Sequence, residues 1–172
     1  MESQLLYLAQ PSVDWVQSSM TPQEEQSSIT VAKKTFESIT SACAHLTTHI
    51  DEHPDTNRND LKLTIPKQEH LAFELVIIFA NNELTLIISE FHWHYSCTDA
   101  EDQAWCIESV VNLVTNQARL KETLRGSRVI KSELQTLQDN EWITVATTGT
   151  MPLPSFKKKT TRIIQNTNNQ HG

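Results

Sequence analysis

The chain has 172 residues and a formal net charge of −7 at pH 7, with 38% hydrophobic and 20% charged residues. This length allows one domain with a hydrophobic core, and the composition argues against a membrane protein or a fully disordered chain. Only three glycines are present and none lies near another, which argues against the glycine-rich loops of nucleotide-binding enzymes.

Cysteine use and charge indicate a cytoplasmic protein with an acidic body. Cys43, Cys97 and Cys106 are odd in number and lack CxxC spacing, so reduced thiols are expected, and the N-terminus lacks the basic start of a signal peptide. From Thr150 onward four basic residues give +4, which leaves −11 for the preceding part of the chain. Such a body would attract a basic partner and repel nucleic acid, although solubility alone would also account for it.

The first predicted element is a helix that begins at a capping box formed by Thr21 and Glu24. Apolar residues then recur at three- and four-residue steps on one stripe: Ile29, Ala32, Phe36, Ile39, Cys43, Leu46 and Ile50. The helix is predicted to end before Pro54. Three histidines follow one another at four-residue steps on a flank for which solvation is favoured over metal binding: His45, His49 and His53.

Branched and alternating runs predict strands on both sides of a second helix. Three strands precede that helix, at residues 61–65, 71–79 and 83–95. The last of them is long enough to bend near Ser89. The second helix is predicted to begin at a capping box from Thr98 to Glu101, with Trp105 and Val114 among its apolar positions. Three strands follow it, at residues 119–125, 128–137 and 141–147.

This order predicts an α+β fold with a mainly antiparallel sheet of about five to six strands and two main helices packed on one face. We expect a single α+β domain over residues 1–149 and an extended or disordered basic C-terminal tail over residues 150–172. The basic side chains of this tail are expected to be solvated rather than to bind nucleic acid: Lys157, Lys158, Lys159 and Arg162.

The segment that most suggests chemistry is Glu90-Phe91-His92-Trp93-His94-Tyr95. Alternation along a strand places Glu90, His92 and His94 on one face, where they could bind a metal, and His70 is the nearest further ligand. The same alternation turns the three aromatic residues toward the core. Because the sequence offers no strong remaining ligand, a partner-binding role for Glu90, His92 and His94 is favoured over a metal site, and no cofactor is expected.

A cysteine nucleophile is the other chemical candidate. Cys97 immediately precedes the second predicted helix, whose dipole would favour a thiolate, and His94 is close in sequence. Burial as a small apolar residue is the more common role of cysteine, and Cys43 and Cys106 on apolar helix faces are expected to be inert. No catalytic residue is therefore assigned.

Three consecutive features carry a family resemblance. They are the strand that ends in the aromatic-histidine pattern from Leu84 to Tyr95, the capped amphipathic helix from Asp99 to Thr115, and the strands around Gly126-Ser127. Residues 83–137 thereby resemble small bacterial α+β proteins of immunity-protein-like and uncharacterised families, with departures at Glu90 and at Ser96-Cys97. The resemblance covers about a third of the chain. It implies a protein that neutralises a toxin by binding it, and it transfers no catalytic residue.

The order of elements and the acidity also resemble those of secretion chaperones, which are small cytoplasmic dimers that hold an unfolded partner. We therefore expect a non-enzymatic protein-binding protein, with immunity-type neutralisation of a toxin as its sharper form. A metal-binding enzyme or sensor and a secretion-chaperone-like dimer are the alternatives. The expected partner is another protein, with a homodimer left open and no membrane involved.

Overall fold

Two helices and nine strands form within the residues that the structure, a computed structural model, describes: 21–53, 60–69, 71–149 and 158–166. In chain order they are α1 (Pro22–Ala42), β1 (His49–His53), β2 (Asp60–Ile65), β3 (Leu75–Ala80), β4 (Glu83–Ile88), β5 (Phe91–Ser96), α2 (Ala100–Val114), β6 (Ala118–Arg125), β7 (Arg128–Gln138), β8 (Glu141–Gly149) and β9 (Lys159–Ile164). Residues 1–20, whose apolar and aromatic positions predict a short segment docked on the domain, lie outside the described residues.

The strands divide into two antiparallel sheets. The first has the order β1-β2-β3-β4-β5, and the second has the order β8-β7-β6-β9. The α+β class and the antiparallel pairing are confirmed. One sheet of about five to six strands was expected, whereas the described strands form two sheets of five and four. The three additional strands are β1, β9 and the one that results from the division of a predicted long strand into β4 and β5.

Helix α1 begins as predicted and ends early. The Glu24 amide donates to Thr21 Oγ1 over 3.3 Å, and the Thr21 amide donates to Glu24 Oε2 over 2.9 Å, which completes the capping box. The helix ends at Ala42, so its predicted extension toward Pro54 is wrong. The Gln68 side chain holds the following segment away from a helical path, because it accepts from the Thr47 amide and donates to the Thr47 carbonyl.

The early end of α1 changes the predicted stripe. Its members up to Leu46 are buried, but Ile50 lies on β1 with 47% of its surface exposed. The three histidines at four-residue steps do not share a helical face, because His45 follows the helix while His49 and His53 begin and end β1.

The predicted strand over residues 83–95 is a hairpin. Ser89 adopts a positive φ of 54°, the chain reverses, and Ile88 pairs with Phe91. The preceding hairpin turns at Asn81 and Asn82, a residue pair that favours such a turn in the sequence, with φ values of 50° and 63°. Alternate residues of β2, β3 and β4 are buried, so one face of this sheet lies on the core.

The second sheet contains the three strands that were predicted after α2, and one more. Strand β9 pairs with β6 from Leu120 opposite Ile164 to Arg125 opposite Lys159. Residues 159–164 therefore belong to the fold, and the prediction of an extended or disordered tail from residue 150 does not hold for them.

A buried ion pair joins β6 to β9. The Glu122 side chain is fully buried, whereas that of Arg162 is 51% exposed. Arg162 donates from Nε to Glu122 Oε2 over 2.7 Å, and a second guanidinium nitrogen bonds to the same oxygen. Glu122 Oε1 has no hydrogen-bond partner among the described residues. Since the carboxylate is removed from water, Arg162 is the counterion that the described residues supply to it.

Helix α2 connects the two sheets. It begins at Ala100, and the preceding Asp99 accepts from the Glu101 amide, so the cap lies one residue after the predicted Thr98. Its buried residues join the core cluster to which both sheets contribute: Cys106, Val110, Leu113 and Val114. Among the described residues, neither helix has the length and hydropathy needed to cross a membrane.

Asn166, directly after β9, ties three parts of the chain together. Its buried side chain accepts from the Ala72 amide over 3.3 Å and donates to the Val114 carbonyl at the end of α2 over 3.0 Å. The loop before β3, the end of α2 and the strand β9 therefore meet at one amide group.

Substitution Arg162→Ala should lower the free energy of unfolding by about 2–4 kcal/mol, because it leaves the Glu122 carboxylate buried without a counterion. Urea unfolding monitored by circular dichroism measures this change. The control is Lys33→Ala, which removes the exposed Lys33–Glu52 pair and should cost less than about 1 kcal/mol. Equal costs for the two substitutions would contradict the structural role of Arg162.

Candidate functional site

A groove of about 550 Å³ lies between α2 and the strands β7 and β8. Its lining comes from all three elements and the loop after α2: Trp105, Glu108, Ser109, Asn112, Gln117, Thr136, Leu137, Gln138 and Val145. A concave surface of this size that mixes apolar and polar groups is typical of a binding site.

The most unusual side chain of the groove is Trp105, which is 54% exposed. The sequence predicts Trp105 as an apolar position of the helix, but α2 turns Cys106 and Val110 to the core instead. Glu101 and Glu108 lie four residues before and three residues after Trp105, which places them next to it on the helix surface. The groove thus presents a large aromatic ring and the Glu108 carboxylate, with Glu101 one turn before the ring on the helix surface.

A bulge in β8 supplies the facing apolar side chain. The pairing of β7 with β8 shifts between Leu134 opposite Ala146 and Gln135 opposite Thr144, which leaves Val145 as the extra residue. Val145 is 46% exposed and lines the groove. Ile143, two residues earlier on the same strand, is also exposed.

Hydrogen bonds hold the walls of this groove. The Tyr95 hydroxyl donates to Ser109 Oγ over 3.0 Å, which fastens the middle of α2 to β5. The Leu137 amide donates to the Gln117 carbonyl over 2.8 Å, which fastens β7 to the loop after α2. The groove is therefore built on regular elements rather than on loops alone.

The predicted face of Glu90, His92 and His94 is only partly formed. Glu90 lies in the turn between β4 and β5, so it does not share the strand face with the two histidines. The exposed His92 and His94 rings have centroids 5.7 Å apart. His70 lies outside the described residues, and within the described part of the chain no three histidine, cysteine or acidic side chains form a metal-binding group.

His94 has local partners of its own. Its Nδ1 lies 3.1 Å from Thr85 Oγ1 and 3.3 Å from Glu83 Oε2, both on β4. The aromatic half of the prediction is confirmed, because Phe91 and Tyr95 are buried and Trp93 packs against the core. The segment is thus mainly a structural edge of the first sheet.

The three thiols of the chain lie in the interior. Burial raises the pKa of Cys97 to about 12 and that of Cys106 to about 12, and it also raises the pKa of Cys43. The hypothesis of a Cys97 thiolate at the start of α2 is wrong, because desolvation outweighs the helix dipole.

Charge is divided between the two halves of the chain. Residues 1–117 contain five basic and 17 acidic residues, a net −12, whereas residues 118–172 contain nine basic and four acidic residues, a net +5. The division therefore falls where the second sheet begins, at Ala118, and not at Thr150. The acidic body is the part that contains the first sheet and the helices.

Cations on the outer face of the second sheet have partners within the sheet. The Arg119 guanidinium lies 4.1 Å from the centre of the Trp142 ring, and its Nε donates to Gln135. Glu133 binds Lys131 over 2.9 Å and lies 3.8 Å from Lys121. The hydrogen bond from Lys131 is the main cause that lowers the pKa of Glu133.

The buried thiols should react slowly with a thiol reagent such as DTNB in the folded protein at about pH 8, because little thiolate forms when the pKa is so high. All three should react rapidly in denaturant. Following the absorbance of the released thiolate checks this. A single thiol that reacts at the rate of free cysteine, and is lost in Cys97→Ser, would contradict the assignment.

Glu133 should contribute stability that depends on pH. Since its folded pKa is lowered, the stabilisation is fully present above the ordinary carboxyl pKa and is lost as the pH falls through the folded pKa. Substitution Glu133→Gln should therefore destabilise the protein at neutral pH and less so at about pH 3. Unfolding in urea at both pH values measures this, with exposed Glu37→Gln as the control. A difference that does not vary with pH would contradict the role of the Lys131 bond.

The chain matches no protein-family model, and no curated protein matches it.

Proposed function

We propose that this chain is a non-enzymatic protein-binding protein and that its sharper role is immunity-type neutralisation of a basic toxin. The observation that carries the proposal is the groove that Trp105 lines together with Val145. The burial of the three thiols and the incomplete histidine face support a binding role over a catalytic one.

An exposed tryptophan beside a groove favours a protein partner on energetic grounds. Aromatic side chains bury about 150–250 Å² each, and each square ångström of apolar surface removed from water contributes about 25 cal/mol. Covering the exposed half of Trp105 would therefore stabilise a complex by about 2–3 kcal/mol. Tryptophan is also among the residues that most often dominate binding energy at interfaces.

The carboxylates around the tryptophan define the kind of partner. Glu101 and Glu108 are exposed on both sides of Trp105, and the groove lining contains no lysine or arginine among the described residues. A partner segment that fits would place an apolar side chain between Trp105 and Val145 and basic side chains against the two carboxylates. The net −12 of residues 1–117 would also speed the encounter with a basic protein.

The immunity form of the proposal has two supports. One is the resemblance of residues 83–137 to immunity-protein-like families, which includes all of α2. The other is charge, because an acidic surface can cover the basic surface of a toxin that acts on a polyanion. The resemblance includes the helix that carries Trp105, and that helix contributes Glu101, Asp102 and Glu108 to the acidic surface.

Substitution Trp105→Ala should weaken binding of the native partner by at least about 30-fold, because a central aromatic anchor contributes about 2 kcal/mol or more. The chain immobilised at low salt recovers the partner from an extract of the native host, and calorimetry with the purified partner gives the Kd. Substitution Glu108→Lys should weaken binding mainly at low salt. The matched control is Glu37→Lys, which makes the same charge change at an exposed position on α1. It should have a much smaller effect on binding.

Co-expression distinguishes the immunity form from binding in general. If the recovered partner arrests growth when expressed alone and this chain restores growth, the immunity role holds. A harmless partner would leave binding intact and remove the immunity role. Recovery of no protein by the wild-type chain, or equal Kd values for Trp105→Ala and wild type, would overturn the groove as the binding site.

A further inference from the structure

Among the described residues, two edge strands of the fold have no strand on their outer side. Each sheet has two edges, which are β1 and β5 in the first and β8 and β9 in the second. Strand β5 lies against β8, where the two sheets meet. Within the described residues, β1 pairs only with β2, and β9 pairs only with β6. An open edge offers unpaired backbone groups to another strand.

Both open strands are exposed and carry an apolar residue. The described side chains of β1 are all exposed, and five of the six residues of β9 are exposed. Ile50 on β1 is 47% exposed, and Ile163 on β9 is 43% exposed. Five large hydrophobic side chains are exposed in the described part of the chain, and these two are among them.

The two strands have opposite charge. Strand β1 presents Asp51 and Glu52, and Glu52 also binds Lys33 on α1 over 2.7 Å. The last residue before β9 and its first residue present Lys158 and Lys159, whereas the charge of Arg162 is engaged by the buried Glu122. Like charges directly opposite each other destabilise strand pairing, and opposite charges stabilise it. Pairing β1 with β1 or β9 with β9 is therefore disfavoured, while pairing β1 with β9 is favoured.

We propose that β1 of one copy of this chain pairs with β9 of a second copy, so that the first sheet of one molecule continues into the second sheet of the next. The two edges belong to different sheets, so one molecule can use both at once. This contact is head to tail, and repetition gives a ring if the rotation closes and an open chain if it does not. The backbone supplies hydrogen bonds, the two isoleucines supply apolar contact, and the charges select the partner edge.

The proposal does not depend on the groove. Trp105 and its neighbours lie on α2 and at the junction with β7 and β8, whereas the association uses β1 and β9. Because the selecting charges are exposed, the association should weaken as salt screens them. Sedimentation velocity of the purified full chain, over a range of protein concentrations at low and high salt, gives the association state.

Reciprocal charge reversal tests which edges meet. One variant combines Asp51→Lys with Glu52→Lys, and the other combines Lys158→Glu with Lys159→Glu. Each variant alone has two edges of one sign, so each should need at least about tenfold more protein than wild type to associate. Mixed in equal amounts, the two variants present opposite edges at every contact and should associate like wild type. Circular dichroism confirms that each variant is folded.

A control separates the edge from net charge. Asp139→Lys combined with Glu141→Lys changes the net charge as much as the β1 variant does, at exposed positions where β7 turns into β8. Strands β7 and β6 separate this turn from β9, and β1 belongs to the other sheet. This control should keep most of the association. A wild-type chain that stays monomeric at low salt would overturn the proposal. So would a mixture of folded variants that fails to associate, or reversed variants that each associate like wild type.

Discussion

The fold depends on one helix that two sheets share. The described strands of the first sheet pair with one another and not with those of the second, so backbone hydrogen bonds do not join the sheets. Helix α2 contacts both β5 and β6, and its buried side chains enter the common core. Each such side chain contributes about 1.5–3 kcal/mol when it is removed from water. The face of the same helix beside these buried side chains carries Trp105, so the packing that joins the sheets also determines where the groove lies.

Elements specified by local signals could be predicted from the sequence. The capping box at Thr21, the turn at Asn81 and Asn82 and the hairpins of β6 to β8 follow from neighbouring residues. The predictions failed where contacts between residues far apart in sequence determine the secondary structure. Ile50 continues the helical spacing, yet the chain after α1 is held by Gln68 and joins β2. Strand β9 carries no apolar alternation of its own, and its pairing partner β6 lies about 40 residues earlier.

The candidate site could be predicted only in part. Alternation along β5 correctly separates the aromatic face from the histidine face, but the reversal at Ser89 removes Glu90 from that face. The groove is built by a helix and two strands that no local pattern brings together. One signal was available, since Trp105 lies one residue away from the stripe of Cys106, Val110 and Leu113. A tryptophan beside the buried stripe and next to acidic residues indicates a surface role.

The amide of Asn166 has a consequence for the order in which the chain becomes structured during synthesis. Its contacts with Ala72 and Val114 span 94 and 52 residues, so they form only after residue 166 has been synthesised. Elements with local contacts form early, whereas pairings at long sequence separation form late. Before that point the Ala72 amide and the Val114 carbonyl lack their hydrogen bonds to Asn166. The edge of β6 that later pairs with β9 is also unpaired. Chaperone binding to the nascent chain is therefore expected in the interval before β9 pairs with β6.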